Sequence, residues 1–141
     1  MPRVMSAWLH YDSSMNKLVA ALRAFLPESA VLFREEDTRP YECDGLTLFR
    51  QLPMVVALPE TEQQVARILQ LCHQEKVPVV PRGAGTGLAG SALPHRDGVL
   101  LSLAKFNRIL SIDPRARTAT VQPGVRNLAI SEAAARHRLY Y

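Results

Sequence analysis

The sequence predicts an α+β fold, and three observations carry that expectation. Residues 54–80 read as strand, helix, strand. Four of the chain's seven glycines then fall within Gly83–Gly90. Beyond them, two short β-branched runs joined by Asp113-Pro114-Arg115 precede a final helical segment.

Met54-Val55-Val56-Ala57-Leu58 is a continuous apolar run, the pattern of a strand buried on both faces. Pro59 ends it. Thr61 has the chemistry of a helix N-cap, and Gln64 stands three residues later, as a capping box requires. Val65, Ile68, Leu69 and Cys72 then recur at i, i+3, i+4 and i+7, which puts them on one helix face. The helix is expected to end near Lys76, where a cation suits the negative end of the dipole. Val77-Pro78-Val79-Val80 is a second short strand, so the two strands of this β-α-β unit should run parallel, with a right-handed crossover. Gly98–Leu103, Ile109–Asp113 and Thr118–Gln122 read as further strands, and Arg126 to about Arg136 as a helix.

The first third is less regular. Ser13 and Ser14 are expected to cap a helix from Met15, with Leu18, Ala21, Leu22 and Phe25 at helical spacing and Pro27 closing it. Ala30–Phe33 suggests a strand. Residues 34–50 are charged and turn-rich, with Pro40 and Gly45, and read as an extended connection. The organisation expected is a lead-in over residues 1–51 and a domain over residues 52–141 that continues past Tyr141, where the chain stops on two aromatics.

With 141 residues, 48% hydrophobic and 21% charged, the chain has the balance of one globular domain. Its net charge of +4 is scattered and its aromatic content is 6%, so nucleic-acid binding is not expected. Cys43 and Cys72 form no metal-ligand spacing with each other or with His10, His73, His95 and His137, and Cys72 reads as a small core residue. No apolar stretch approaches membrane-spanning length, and the first residues lack the apolar centre of a signal peptide, so a cytoplasmic chain is expected. Glu42 and Asp44 flank Gly45 and suit turn chemistry better than acid–base work. Ser91 and Ser102 lack the surroundings of a nucleophile elbow.

The glycine-rich segment carries the chemistry. Glycine lets the backbone reach positive φ and lets a ligand approach without a Cβ in the way. Successive N–H groups can then converge on an anion. Thr86 and Ser91 add hydroxyl donors and Arg82 adds positive charge. A P-loop is excluded, because no lysine lies between Lys76 and Lys105. Gly85-Thr86-Gly87-Leu88-Ala89-Gly90 matches GxGxxG, but Pro94 and Gly98 leave no room for the helix a Rossmann turn needs. An anion nest running from strand to strand fits best, and a surface turn with no ligand is the alternative.

The stretch VPVVPRGAGTGLAG, introduced by LPMVVALPETEQQV and followed by ATVQPGV, resembles the FAD-binding domain of the p-cresol methylhydroxylase/vanillyl-alcohol oxidase type. PYECDGL at 40–46 and VQPGVRNLAIS at 121–131 narrow the resemblance to the FAD subunits of bacterial glycolate oxidases, within the D-2-hydroxy-acid oxidoreductases. The resemblance implies a first subdomain of β-α-β-β topology and the start of a second. It implies non-covalent FAD, whose diphosphate is held by Pro81, Arg82, Gly83, Ala84, Gly85, Thr86 and Gly87 with Gly90 and Ser91. Some relatives link flavin to a histidine in this loop, and Thr86 occupies that place here. Ser91 and Arg136 depart from the glycine and proline expected at their positions. The parent protein would oxidise a small 2-hydroxy acid such as glycolate or D-lactate, with iron–sulfur partner subunits that bring it to the inner membrane. The catalytic residues would lie beyond Tyr141. A non-catalytic flavin-domain module is the alternative from another class.

Overall fold

The computed structural model describes the backbone of residues 3–141 and side chains from Ser13 onward. Helix α1 spans Arg3–Arg23, so it begins well before Met15, and Ser13 and Ser14 lie inside it rather than capping it. No proline or glycine interrupts Arg3–Arg23, and a mid-helix serine costs less than about 0.7 kcal/mol, too little to end a helix. Leu18, Val19, Leu22 and Leu26 are buried along its second half and the turn after it. A 3₁₀ turn at Glu28–Ala30 leads into β1, Val31–Leu32.

The connection expected over 34–50 is not simply extended. It contains α2, Glu35–Thr38, and a 3₁₀ turn, Arg39–Tyr41. Glu35, Glu36 and Asp37 occupy the first turn of α2, where negative charge is favourable, and the Arg34 carbonyl accepts from both Asp37 and Thr38 N–H.

The central layer is a four-stranded sheet of order β1-β2-β4-β3. Strand β2 is Val55–Ala57, β3 is Val79–Arg82 and β4 is Val99–Ser102. Strands β2, β3 and β4 run parallel, with β4 between the other two, and β1 pairs antiparallel to β2. Every residue of β2 and β4 is buried, as their unbroken apolar runs require. Strand β3 begins later than expected and takes in Pro81 and Arg82. It lies at an edge, so the missing Pro81 N–H leaves no ladder position empty.

Helix α3, Glu62–Gln74, crosses from β2 toward β3. Its capping box is complete: Gln64 N–H donates to Thr61 Oγ1 at 3.2 Å, and Gln64 Oε1 accepts from the Thr61 and Glu60 N–H groups. At the other end Lys76 takes φ 54°, Lys76 N–H bonds the His73 carbonyl and Val77 N–H bonds the Cys72 carbonyl, a Schellman closure. The buried stripe differs from the expected one. Ile68 and Cys72 are buried with Val65 and Leu71 packed beside them, while Leu69 is 46% exposed. Position 71 lies a turn after 68 on the core side, and 69 has rotated toward solvent. Leu18, Leu22, Val31, Met54, Val55, Ile68, Val99 and Leu101 belong to one core, so residues on both sides of position 52 are packed together.

Strands β5, Ile109–Asp113, and β6, Thr118–Val121, form a separate antiparallel hairpin. Its turn is held by Asp113 Oδ1, which accepts from the N–H groups of Arg115 and Ala116. Helix α4, Asn127–Ala135, follows.

The α3 faces give a direct check by thermal or urea unfolding. Ile68→Ala should destabilise by about 3 kcal/mol, the usual cost of emptying a buried isoleucine site, whereas Leu69→Ala should stay within about 0.5 kcal/mol of wild type.

Candidate functional site

The glycine-rich segment leaves the C-terminal end of β3 and reaches β4 through residues 83–98 without forming a helix. The GxGxxG letters are therefore not a Rossmann turn, and the segment runs from strand to strand. Pro81 and Arg82, expected at the loop's start, are the last residues of β3, and Gly83–Ser91 form the loop proper.

Its glycines divide into two kinds. Gly85 and Gly90 take φ of 71° and 70°, which side-chain-bearing residues rarely adopt. Gly83 and Gly87 have no such reason. A Cβ on Gly83 would meet nothing nearer than the Pro123 carbonyl oxygen at 3.9 Å, and one on Gly87 nothing nearer than Ser91 Oγ at 3.9 Å. Neither a close contact within the described residues nor a positive φ requires glycine there.

Arg82 reaches from β3 to the segment that precedes the sheet's parallel strands. Its Nη1 donates to the Cys43 carbonyl at 2.7 Å, and its guanidinium carbon sits 5.7 Å from the centre of the Tyr41 ring. The side chain passes beneath Gly85, where an added Cβ would fall 2.2 Å from Nη2. Gly45 also meets the loop: a Cβ on it would stand 2.6 Å from the Thr86 carbonyl oxygen and 2.9 Å from that of Gly87. Asp44 beside it is buried. Its Oδ1 accepts from Leu46 N–H at 2.9 Å, and its Oδ2 is the buried side-chain oxygen without a partner among the described residues. Tyr41, Cys43 and Gly45 thus meet Arg82 and the loop, whereas sequence reading placed them in a turn-rich connection and used them only for the family resemblance. The signal was present in PYECDGL, but its target lies about forty positions away along the chain.

A cleft of about 560 Å³ opens beside Gly83 and Ala84, walled by Ala104, Asn107, Gly124 and Arg126. Gly124 makes this wall possible: its N–H bonds the Phe106 carbonyl at 2.8 Å, and a Cβ there would strike the Leu103 carbonyl at 2.4 Å. A larger cleft of about 740 Å³ lies among Met15, Phe33, Leu52, Arg96 and Asp97, at the N-terminal ends of the parallel strands. Parallel sheets bind ligands at the opposite, carboxyl ends of their strands, which is where the glycine-rich loop stands. Among the described residues no three His, Cys, Asp or Glu side chains are grouped to hold a metal, and no helix is long and apolar enough to cross a membrane.

A family profile described as "FAD binding domain" matches residues 53–141. The chain belongs to that family. Within this FAD-binding family, glycolate oxidase subunit GlcD of Escherichia coli (strain K12) is 53% identical over 130 residues, which is 92% of this chain and 26% of that protein. D-lactate dehydrogenase of Anaerostipes hadrus is 29% identical over 132 residues, 93% of this chain and 28% of that one. The crystal structure of p-cresol methylhydroxylase with substrate bound matches with a TM-score of 0.78 at 30% identity, covering 90% of this chain and 25% of that one. The expected α+β architecture of the p-cresol methylhydroxylase type is thereby found, with FAD as its cofactor. This chain spans about a quarter of the length of these relatives.

The two thiols should behave differently. Burial pushes the Cys72 thiol up to about 11, so it stays protonated at pH 8.5, while Cys43 is only half-buried. An alkylating reagent at pH 8.5, followed by peptide mass analysis, should modify Cys43 in the native chain and reach Cys72 only after unfolding.

Proposed function

We propose that the loop from Pro81 to Gly87, with Gly90 and Ser91, holds the diphosphate of non-covalent FAD, and that the chain is the FAD-binding portion of a flavin-dependent 2-hydroxy-acid oxidoreductase. The observation that carries the reading is the pair Gly83 and Gly87, whose lack of a side chain serves neither packing nor backbone conformation. They lie in an exposed loop whose main-chain N–H groups can meet an anion, and Thr86 and Ser91 stand in the same loop with hydroxyl donors. Arg82 serves this site by its backbone and by supporting the loop, not as a phosphate partner.

When bound, the flavin accepts the hydride equivalent, and this part of the chain binds and orients its diphosphate end. Glycolate is the favoured substrate of the parent protein, supported by the 53% identity to a glycolate oxidase subunit against 29% to a D-lactate dehydrogenase. The groups that act on the hydroxy acid belong to the part of the parent protein not represented in these residues. Partner subunits are part of the same proposal, supported by the likeness to a protein named as an oxidase subunit; iron–sulfur centres in them and a cytoplasmic, membrane-peripheral position extend that proposal from the family resemblance alone.

An FAD titration of the purified chain, followed by flavin fluorescence and absorbance, tests this. Saturable one-to-one binding is expected. Gly83→Val and Gly87→Val, which meet no protein atom closely, should keep the fold and each weaken binding about tenfold or more. A folded chain that binds no FAD sinks the claim that these residues suffice, and valine variants that bind as wild type move the diphosphate elsewhere.

A further inference from the structure

Residues Tyr41–Gly45 precede the region matched by the family profile, which begins at residue 53. We infer that this segment is the floor of the glycine-rich loop, and that Gly45 and the Arg82 strut are positioning residues that aim the loop's N–H groups at the diphosphate. The inference rests on the reading of the loop given above.

The geometry follows from the peptide group. In a trans peptide the C=O and the N–H point in opposite directions, and the described residues contain no cis peptide bond. The carbonyls of Thr86 and Gly87 lie against Gly45. With the Thr86 carbonyl carbon at 2.9 Å and its oxygen at 2.6 Å, the Thr86–Gly87 peptide lies broadside against the place a Gly45 side chain would take, so the bare Gly45 backbone sets where the peptides that carry the Gly87 and Leu88 N–H groups can sit. Any side chain at position 45 would push both carbonyls off the floor and rotate both N–H groups with them.

The floor is itself held. Gln51 N–H donates to the Glu42 carbonyl at 2.7 Å, and Arg50 Nη1 pairs with Glu42 Oε1 at 2.7 Å, which closes residues 42–51 into a compact loop at its neck. Within it, Asp44 Oδ1 fixes the turn through Leu46 N–H. Arg82 ties this loop to β3 by its hydrogen bond to the Cys43 carbonyl and its position over Tyr41, and it fills the space beneath Gly85. A planar guanidinium can do all three at once, whereas a lysine ammonium cannot.

The test compares wild type with Gly45→Val, Arg82→Lys and Arg82→Met. It measures amide hydrogen exchange of the ligand-free chain and FAD affinity at low and high salt. All three variants should speed exchange at residues 84–88 about tenfold or more, with α3 and β4 amides unchanged. Each should weaken FAD about tenfold, lysine as much as methionine, with the salt dependence of wild type. Retained affinity in Arg82→Lys, with affinity and salt dependence both lost in Arg82→Met, would make Arg82 a phosphate ligand and overturn the inference. So would Gly45→Val binding and exchanging as wild type does. If wild type itself binds no FAD, the proposed function fails separately and the exchange measurement alone decides whether the floor controls the loop. Should Gly45→Val lose the fold by circular dichroism, Gly45→Ala and Arg82→Met carry the same two measurements.

Discussion

The fold turns on the placement of β4 between β2 and β3, buried along its whole length. Because β3 and β4 are neighbours and parallel, the chain must leave the carboxyl end of β3 and return to the amino end of β4. A helix usually makes that return. Here sixteen residues without one do so, from Gly83 to Gly98, and the glycine-rich loop is the first half of that path. At the far end the Gly98 carbonyl accepts from both Met54 and Val55 N–H, which seats the start of β2 against the start of β4. The site is thus a consequence of the topology. The loop stands at the carboxyl ends of the strands because parallel pairing puts it there.

Where the determinants are local, the sequence discloses them. The Thr61–Gln64 capping box, the Asp113 turn and the unbroken apolar runs of β2 and β4 each involve residues within a few positions of one another, and each is found as read. What was not legible depends on distant partners. The destination of Arg82 is a carbonyl thirty-nine residues earlier, and nothing around Arg82 marks it. The role of Gly45 is set by Thr86 and Gly87, so its neighbours show only a turn. Helix α2 is one turn long and has no period to detect. On α3 the spacing put Leu69 on the buried stripe, whereas the core takes Leu71 and leaves Leu69 exposed.

The glycines show why composition alone misleads. Gly45, Gly98 and Gly124 are needed because a backbone carbonyl lies closer than a Cβ permits. Gly85 combines a left-handed φ with a guanidinium in its side-chain space. Gly83 and Gly87 alone combine ordinary φ with open surroundings. A motif of evenly written glycines therefore contains positions that the fold requires and positions that it leaves open, and only the three-dimensional neighbours separate them. The lead-in before residue 53 belongs with the structural ones, since it supplies the surface against which the loop is shaped.

Strand β3 lies at one edge of the sheet and β1 at the other. The carbonyls of Pro78 and Arg82 are engaged by Val99 and Leu103 N–H, so the even-numbered residues of β3 turn their main chain toward β4 and Val79 and Pro81 turn theirs outward. Of those two, proline has no N–H to offer. Strand β1 is two residues long. An incoming strand from another molecule would find a broken row of donors on one side and almost no length on the other, which is how sheets escape edge-to-edge aggregation. Pro81, two residues before the glycine-rich loop, thus also leaves that edge of the sheet one donor short.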